Sequence, residues 1–459
     1  MRRFIYRALR FFSRVDHALR ERLTVGGWLA LGTAGAAAAA GLDTNQTVTY
    51  RAFTFLAVLI VLAWLASLLF PLFYRRRLEA RRELPRYATA GEAFSYRVVL
   101  DNRGARAVAG ATVQEHFRDP RPGYEEWRRA REPGEERRNW WDRTIGYFRW
   151  RWLIERRVRR TPGPAELAPL AAGERRELRL SFTPRRRGRI ELAGLTLGRA
   201  DPLGLVRGLV RVPLAAKVIA LPRRYRLPEV ALPGKRKFQP GGVSLAASVG
   251  DSEEFLALRD YRPGDPQHRI HWKSFARSGK PVVKEYQDEF FERHALVLDT
   301  GSGGAQGRGE DAAFEDAVAI AASFVYTIDT HECLLDLLFV GGATADSALQ
   351  PIRAYTAGRG QMQAEHMLEV LAAVAPSPPE EFGSLAAAVL GRRAILSSVI
   401  LILLSWDDAR ARLVASLRAS GSEVRALLVC PEGAAPAERP AGVVVLHPGA
   451  IEKGLAGLR

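Results

Sequence analysis

Two long apolar stretches open the chain. Residues Leu23 to Leu42 run for twenty positions without a charge, and Ala52 to Phe73 run for twenty-two more. Each has the roughly 20 residues with which a helix crosses about 30 Å of hydrocarbon, so spans at 23–42 and 52–73 are expected, joined by the polar turn Asp43 to Arg51. The first span is rich in small residues (Gly26, Gly27, Gly32, Gly35 and the Ala36 to Ala40 run), and the second is bulky (Phe53, Phe55, Trp64, Phe70). Small against large is what close helix packing in lipid favours. A signal peptide and a buried hairpin are the competing readings. Two full-length spans in succession, with no suitably placed A-x-A cleavage site, favour a membrane α-hairpin. Arginines crowd residues 1–22 and 75–82, whereas the turn holds only Arg51. The positive-inside rule then predicts an inner (plasma) membrane protein with both termini, and everything after Tyr74, in the cytoplasm.

Beyond the hairpin the period changes to two. Phe94 to Leu100 alternates and ends at the turn signal Asp101-Asn102-Arg103-Gly104, and Ala111 to Phe117, Arg176 to Phe182, Arg189 to Leu197 and Lys217 to Leu221 read the same way. Short strands with Gly, Pro and Asn punctuation predict an immunoglobulin-like β-sandwich over 85–221. An insertion at 118–160 interrupts it with five of the nine tryptophans and fourteen arginines. Within it Trp141, Ile145, Phe148 and Trp152 recur at helical spacing. That pattern suits an amphipathic helix lying on a membrane surface, or one packed on the sandwich with solvated arginines. From His294 to the end, at 294–459, continuous apolar strands (Cys333 to Val340, Ser398 to Leu404, Val424 to Cys430, Val443 to Leu446) alternate with helices at Asp311 to Thr330, Gln361 to Ala375 and Asp407 to Ser420. Such alternation predicts a doubly wound α/β domain with a parallel sheet.

Composition adds one constraint. Lys plus Arg number 68 against 50 acids, a formal net charge of +18, and only seven of the basic residues are lysine. A chain so basic seeks anionic lipid or nucleic acid. The basic flanks suit anionic headgroups, so no nucleic-acid partner is needed to explain the charge. Cys333 and Cys430 rule out a disulfide scaffold; both fall in apolar strands as core thiols and fit a reducing compartment.

The segment 222–293 lies between the two folded regions. It holds Gly250-Asp251-Ser252-Glu253-Glu254-Phe255-Leu256-Ala257-Leu258-Arg259-Asp260-Tyr261-Arg262-Pro263-Gly264-Asp265, then Arg269-Ile270-His271-Trp272-Lys273-Ser274-Phe275-Ala276-Arg277 and, further on, Lys284-Glu285. Pro263-Gly264-Asp265 is a tight turn, and His268 to Lys273 crowds basic and aromatic side chains into six positions. Such a cluster must be exposed, paired with acids such as Glu253, Glu254 and Asp265, or both. Two readings stay open. Asp265 with Arg269 and Arg277 forms a buried ion pair, or Arg259, Tyr261, Asp265, Arg269, His271, Trp272 and Arg277 form a partner-binding surface.

This spacing resembles the signature of the domain-of-unknown-function family number 58. Asp201-Pro202-Leu203-Gly204-Leu205 is similar to that family's entry segment. The resemblance implies a membrane hairpin, a β-rich region and a von Willebrand factor A-like domain. It also implies a MoxR-type AAA+ ATPase as partner, with a transglutaminase-like membrane protein as a second; the signature segment and the lack of a catalytic constellation then lead us to expect an adaptor role in an envelope or stress-related process. It implies no reaction, and no catalytic residue is assigned.

A von Willebrand A domain holds Mg²⁺ through D-x-S-x-S, because a hard cation takes carboxylate and hydroxyl oxygens. This chain offers Asp299-Thr300-Gly301-Ser302-Gly303, with the aspartate in place and both serine positions glycine. Asp407, Asp408, Thr344 and Thr356 are further oxygen donors, so a degenerate Mg²⁺ site around Asp299 is the one cofactor idea, and otherwise no cofactor is expected. The glycine-rich loop Gly301 to Gly309 matches neither a P-loop nor a clean G-x-G-x-x-G. Two alternatives to the adaptor remain: a metal- or phosphate-dependent enzyme using Asp299, Asp265 and His271, and a membrane-tethered nucleic-acid binder using the Arg/Trp insertion.

Overall fold

The computed structural model describes the chain apart from residues 41–46, 75–77, 106, 133, 158–164, 229–253, 266, 288–291, 302–307, 329–332, 342–351, 357–360, 437–440 and 458–459, and it gives only backbone at 40, 47, 49, 66–74, 156, 254–257, 285–287, 292, 308–311, 333, 352–354, 356 and 361–362. The chain divides into two compact units, Met1–Arg223 and Arg224–Arg459.

The first unit opens with three helices, α1 (Arg2–Arg22), α2 (Val25–Ala40) and α3 (Thr47–Tyr74). The expectation of two membrane-crossing spans is corrected here. Among the described residues no helix is long and apolar enough to cross a membrane. Thr24 sets where α2 begins: its hydroxyl accepts the amide of Gly27 at 3.0 Å, and the described part of the helix covers 16 residues, short of the roughly 20 that a bilayer requires. In α3 Arg51 lies in the helix itself rather than in a turn before it. The inner-membrane placement and the orientation drawn from arginine counts rested on those spans and go with them.

Eight strands follow: β1 (Leu78–Glu83), β2 (Tyr87–Thr89), β3 (Phe94–Asn102), β4 (Ala111–Phe117), β5 (Ala165–Leu167), β6 (Arg175–Phe182), β7 (Gly188–Ala200) and β8 (Arg207–Leu221). They form a three-stranded sheet, β1-β3-β6, and a five-stranded sheet, β2-β8-β7-β4-β5. Strict alternation in β3 buries Phe94, Tyr96, Val98 and Leu100 and turns the residues between them outward. Those side chains share one core with Val113, Leu195, Leu197 and Val210 of the second sheet. Inside this core sits an ion pair. Arg82 and Glu115, whose side chains are 2% and 1% exposed, bond to each other; the Tyr96 hydroxyl donates to Glu115, and Arg82 Nη1 donates to the carbonyl of Leu214 at 2.8 Å.

Between β4 and β5 run three short helices, α4 (Tyr124–Arg129), α5 (Trp140–Ile145) and α6 (Tyr147–Arg157). One continuous helix carrying Trp141, Ile145, Phe148 and Trp152 on a single face is not what forms. Gly146 breaks it in the left-handed region (φ 63°), and a Cβ there would meet the Trp127 ring at 2.9 Å. Trp127 Nε1 donates to the Gly146 carbonyl at 3.1 Å. The rings that are buried are therefore Trp127 and Trp150, packed with Leu153 around Tyr6 of α1. Trp140 and Trp141 stack on one another at 4.3 Å and remain exposed.

The second unit contains a two-stranded antiparallel pair, β9 (Glu254–Asp260) with β10 (Val282–Gln287), and α7 (Trp272–Ser278) lies between them in the chain. Then come β11 (Glu292–Leu298), α8 (Arg308–Thr327), β12 (Cys333–Val340), β13 (Ile352–Thr356), α9 (Gln361–Ala373), α10 (Phe382–Gly391), β14 (Ser398–Leu403), α11 (Asp408–Ala419), β15 (Glu423–Val429), β16 (Val443–Leu446) and α12 (Ile451–Ala456). The sheet order is β13-β12-β11-β14-β15-β16. Every neighbouring pair is parallel except β12 with β13, so an antiparallel edge closes an otherwise parallel sheet. Val297, Val399 and Leu401 face α10 and α11 in one core layer, and α8 packs against β11, β14 and β15. Burial on both faces explains the unbroken apolar strands.

Removing Arg82 strands its partner. At about pH 8, Arg82→Ala is expected to lower the unfolding free energy by about 3–5 kcal/mol in a denaturant titration, and a loss below about 1 kcal/mol would show the pair to be incidental. Burial pushes the Glu115 carboxyl up from the ordinary 4.5 to about 7, against the pull of Tyr96 and Arg82. Between those values the folded chain keeps a proton that the unfolded chain has lost. The Glu115 contribution is thus fully present below pH 4.5 and is lost as pH rises through about 7. Glu115→Gln should gain in melting midpoint relative to wild type over that window; a difference that stays constant with pH would count against the assignment.

Candidate functional site

In the six-stranded sheet of the second unit the order turns around that sheet's first strand. β11 lies in the middle, β12 and β13 extend to one side, and β14, β15 and β16 extend to the other. Sheets of this order open a crevice at the carboxyl ends of the two strands where the winding reverses, here β11 and β14. Asp299 follows β11 directly. The loop after β14 carries Asp407, which caps α11 by accepting the amide of Arg410 at 2.9 Å. This cap and its helix deliver the Arg410 side chain into the crevice.

Arg410 fills it. Its Nε and Nη2 lie 2.8 and 2.7 Å from Asp299 Oδ2, its Nη1 reaches Asp407 Oδ2, and its guanidinium carbon stands 4.1 Å over the ring of Phe382. Asp299 is 1% exposed and Arg410 2%. The other Asp299 oxygen accepts the amide of Gly301 at 2.9 Å, and the amide of Leu404 adds a bond of 3.2 Å to Oδ2. Burial pushes this carboxyl up, opposed by Arg410 and the two amides. Thr300 turns away and donates to the carbonyl of Val340 at 3.0 Å, with Ser377 Oγ at 2.9 Å.

These contacts do not fit a divalent cation. Both Asp299 oxygens are occupied, and the place beside them where a hard ion would sit holds a guanidinium. Among the described residues no three His, Cys, Asp or Glu side chains gather as metal ligands. Ser302, Gly303, Thr344 and most of the glycine-rich loop lie outside the described residues, as does the side chain of Thr356. Arg410 was missed in the sequence, although its signal was there: an aspartate that caps a helix, with an arginine one turn on, straight after a buried strand.

The signature segment is a separate place. Arg259 grips Asp265 with two bonds of 2.7 Å, and the amide of Arg262 donates to Asp265 Oδ2 at 2.8 Å. Those bonds pull the Asp265 carboxyl down to about 2. The partner of Asp265 is thus Arg259, not Arg269 or Arg277, because the Pro263-Gly264 turn (φ 108° at Gly264) folds Asp265 back onto its own strand. His271 heads α7, with Nδ1 2.7 Å from Ser274 Oγ, and its amide donates to Val282 on β10. Trp272 is 62% exposed and Phe275 37%, in edge-to-face contact at 6.1 Å; Lys273 and Arg277 are also exposed. Tyr261 is half-buried, its amide bonded to the Pro281 carbonyl. Asp265, His271 and Asp299 each have their own partners, and none of their hydrogen bonds joins one to another. Cys430 is a buried thiol, and burial pushes it up; the Cys333 side chain lies outside the described residues.

The matched region begins inside β9. Residues 257–405 match the family described as "Protein of unknown function DUF58". That match takes in the Arg259–Asp265 clamp, α7 and Asp299, and it stops just short of Arg410. A curated relative, "Uncharacterized protein YeaD" of Bacillus subtilis (strain 168), is 23% identical over 188 residues, which is 40% of this chain and 42% of that protein. The chain thus spans about two fifths of the length of the curated relative it matches. Among solved structures, the CARDB domain of PF1109 from Pyrococcus furiosus is 11% identical, covering 31% of this chain and 87% of its own, with a TM-score of 0.17. The PKD domain of an M14-like peptidase from Thermoplasmatales archaeon SCGC AB-540-F20 is 12% identical, covering 31% and 92%, with a TM-score of 0.15. Likenesses this slight carry no argument here.

Breaking the crevice pair is costly from either side. Asp299→Asn or Arg410→Met alone should each cost about 3–5 kcal/mol of stability, while the double variant should cost clearly less than the sum. Denaturant titrations of the four proteins test this, and costs that simply add would show that the two side chains are not coupled.

Proposed function

We propose that this chain is an interaction protein whose signature segment docks a MoxR-type AAA+ ATPase and adapts it to its client. The observation that carries this reading is Trp272. A large ring lies mostly in water on a short helix, beside a second ring, on a segment whose turn is fixed by a two-bond arginine–carboxylate clamp. Trp and Arg are the residues that most often dominate binding when a partner desolvates them, and a pre-set backbone lowers the ordering cost of association. Lys273 and Arg277 flank the rings, so the complementary surface is acidic. The resemblance to the family names the ATPase class. On the same reading the second unit is a von Willebrand A-like domain in which an internal guanidinium replaces the metal, and the first unit's sandwich is an immunoglobulin-like spacer.

The test is co-purification of the full chain with a MoxR-type AAA+ ATPase, with and without ATP. Trp272→Ala combined with Phe275→Ala removes only exposed rings and should leave the melting midpoint unchanged. It should weaken association by about tenfold or more. An ATPase that never binds the wild-type chain under any nucleotide condition, or that binds the folded variant equally well, overturns the proposal.

A further inference from the structure

α1 has one face that neither the sandwich nor the helical insertion explains. Arg3, Arg7, Arg10 and Arg14 succeed one another at spacings of four, three and four, so they line one side of the helix. They line an open cavity of about 470 Å³ together with the rings of Tyr6, Phe11 and Tyr124. Among the described residues none of the side chains lining it is acidic. Asp119, a carboxylate that feels the charge of Arg10, is taken by Arg121 at 2.9 Å. Arg3 lies over the ring of Tyr124 at 5.7 Å. Arg10 Nε is shut away from solvent with no hydrogen-bond partner among the described residues.

Four like charges along one helix face repel one another, and neighbours at i, i+3 and i, i+4 destabilise the helix that carries them. Elsewhere in this unit arginines are paired with acids: Arg121 with Asp119, Arg149 with Glu135, Arg157 with Glu126. The α1 face lacks that compensation. A guanidinium fork matches the oxygens of a phosphate, several forks around one concavity match a multiply charged one, and the flanking rings give an apolar wall for whatever the phosphate is attached to. We propose that this cavity is a binding site for a phosphate-bearing ligand, held by Arg7, Arg10 and Arg14 and stacked against Phe11 and Tyr124. The chemistry is that of a phosphate ester, supplied either by a free nucleotide or polyphosphate or by the headgroup of an anionic lipid.

The experiment uses the purified full chain and two probes. Fluorescently labelled ATP is titrated by polarisation with pyrophosphate as competitor, and phosphatidylglycerol vesicles are compared with phosphatidylcholine vesicles by co-sedimentation. Arg7→Gln combined with Arg14→Gln removes two exposed cavity charges. Arg2→Gln combined with Arg20→Gln removes the same charge from the same helix outside the cavity. Binding of either probe should fall by about tenfold or more in the first variant and stay near wild type in the second. ATP binding displaced by pyrophosphate identifies a free phosphate, and phosphatidylglycerol binding alone identifies a lipid headgroup. Either result, with that variant pattern, supports the site. Neither probe binding, both variants losing equally, or an oligonucleotide outcompeting both probes through the same arginines overturns it.

Discussion

A carboxylate at the end of a central strand, sealed from water, has to be answered by a positive charge, and the second unit is arranged around that demand. Asp299 leaves β11 where the sheet reverses its winding, so the strand order itself aims it into the crevice. Its compensation comes from Arg410, more than a hundred residues along the chain, and Arg410 reaches it only because Asp407 caps α11 at the right place. Phe382 from α10 closes over the guanidinium. Two helices and the central strands are thereby referenced to one ion pair. A metal ion would have required ligands to converge from loops; a tethered guanidinium needs only one helix to be set correctly.

The first unit solves a similar problem inside a β core. Glu115 points inward from a strand whose other inward residues are Val113 and Ala111, and the sandwich tolerates it because Arg82 and Tyr96 arrive from the opposite sheet. In both units a buried acid links elements far apart in sequence, and in both the loss of either partner is felt across the fold because no water is at hand to replace it.

Periodicity alone locates individual strands. The alternation of Phe94 to Leu100 and the unbroken apolar strands from Ser398 onward appear as sheets with the expected faces, because side-chain period follows directly from backbone geometry. Elements decided by one residue were harder to see. Helical spacing joined Trp141 to Trp152 and gave no weight to Gly146, whose left-handed backbone and contact with Trp127 split the helix and turned a different set of rings inward. Hydropathy alone gave no weight to the hydroxyl of Thr24, which accepts the amide of Gly27 at the start of α2. In the candidate sites, Asp265 and Asp299 were recognisable as carboxylates needing partners. Their actual partners, Arg259 and Arg410, were not, because pairing is settled by a turn in one case and a helix cap in the other.

The loop from Asp201 to Val206 shows what such local devices bind together. Asp201 accepts the amides of Leu203 and Val206, Gly204 takes φ 67°, and the carbonyls of Gly204 and Leu205 receive the hydroxyl of Thr24. Gly27 lies so close that any Cβ would come within 2.1 Å of the Leu205 oxygen. The start of α2 and this turn lie 180 residues apart, yet they are moulded to each other atom by atom. A side chain added at Gly27, or the loss of the Thr24 hydroxyl, would therefore disturb the Asp201 to Val206 turn together with the start of α2, so the two short segments act mechanically as a single joint.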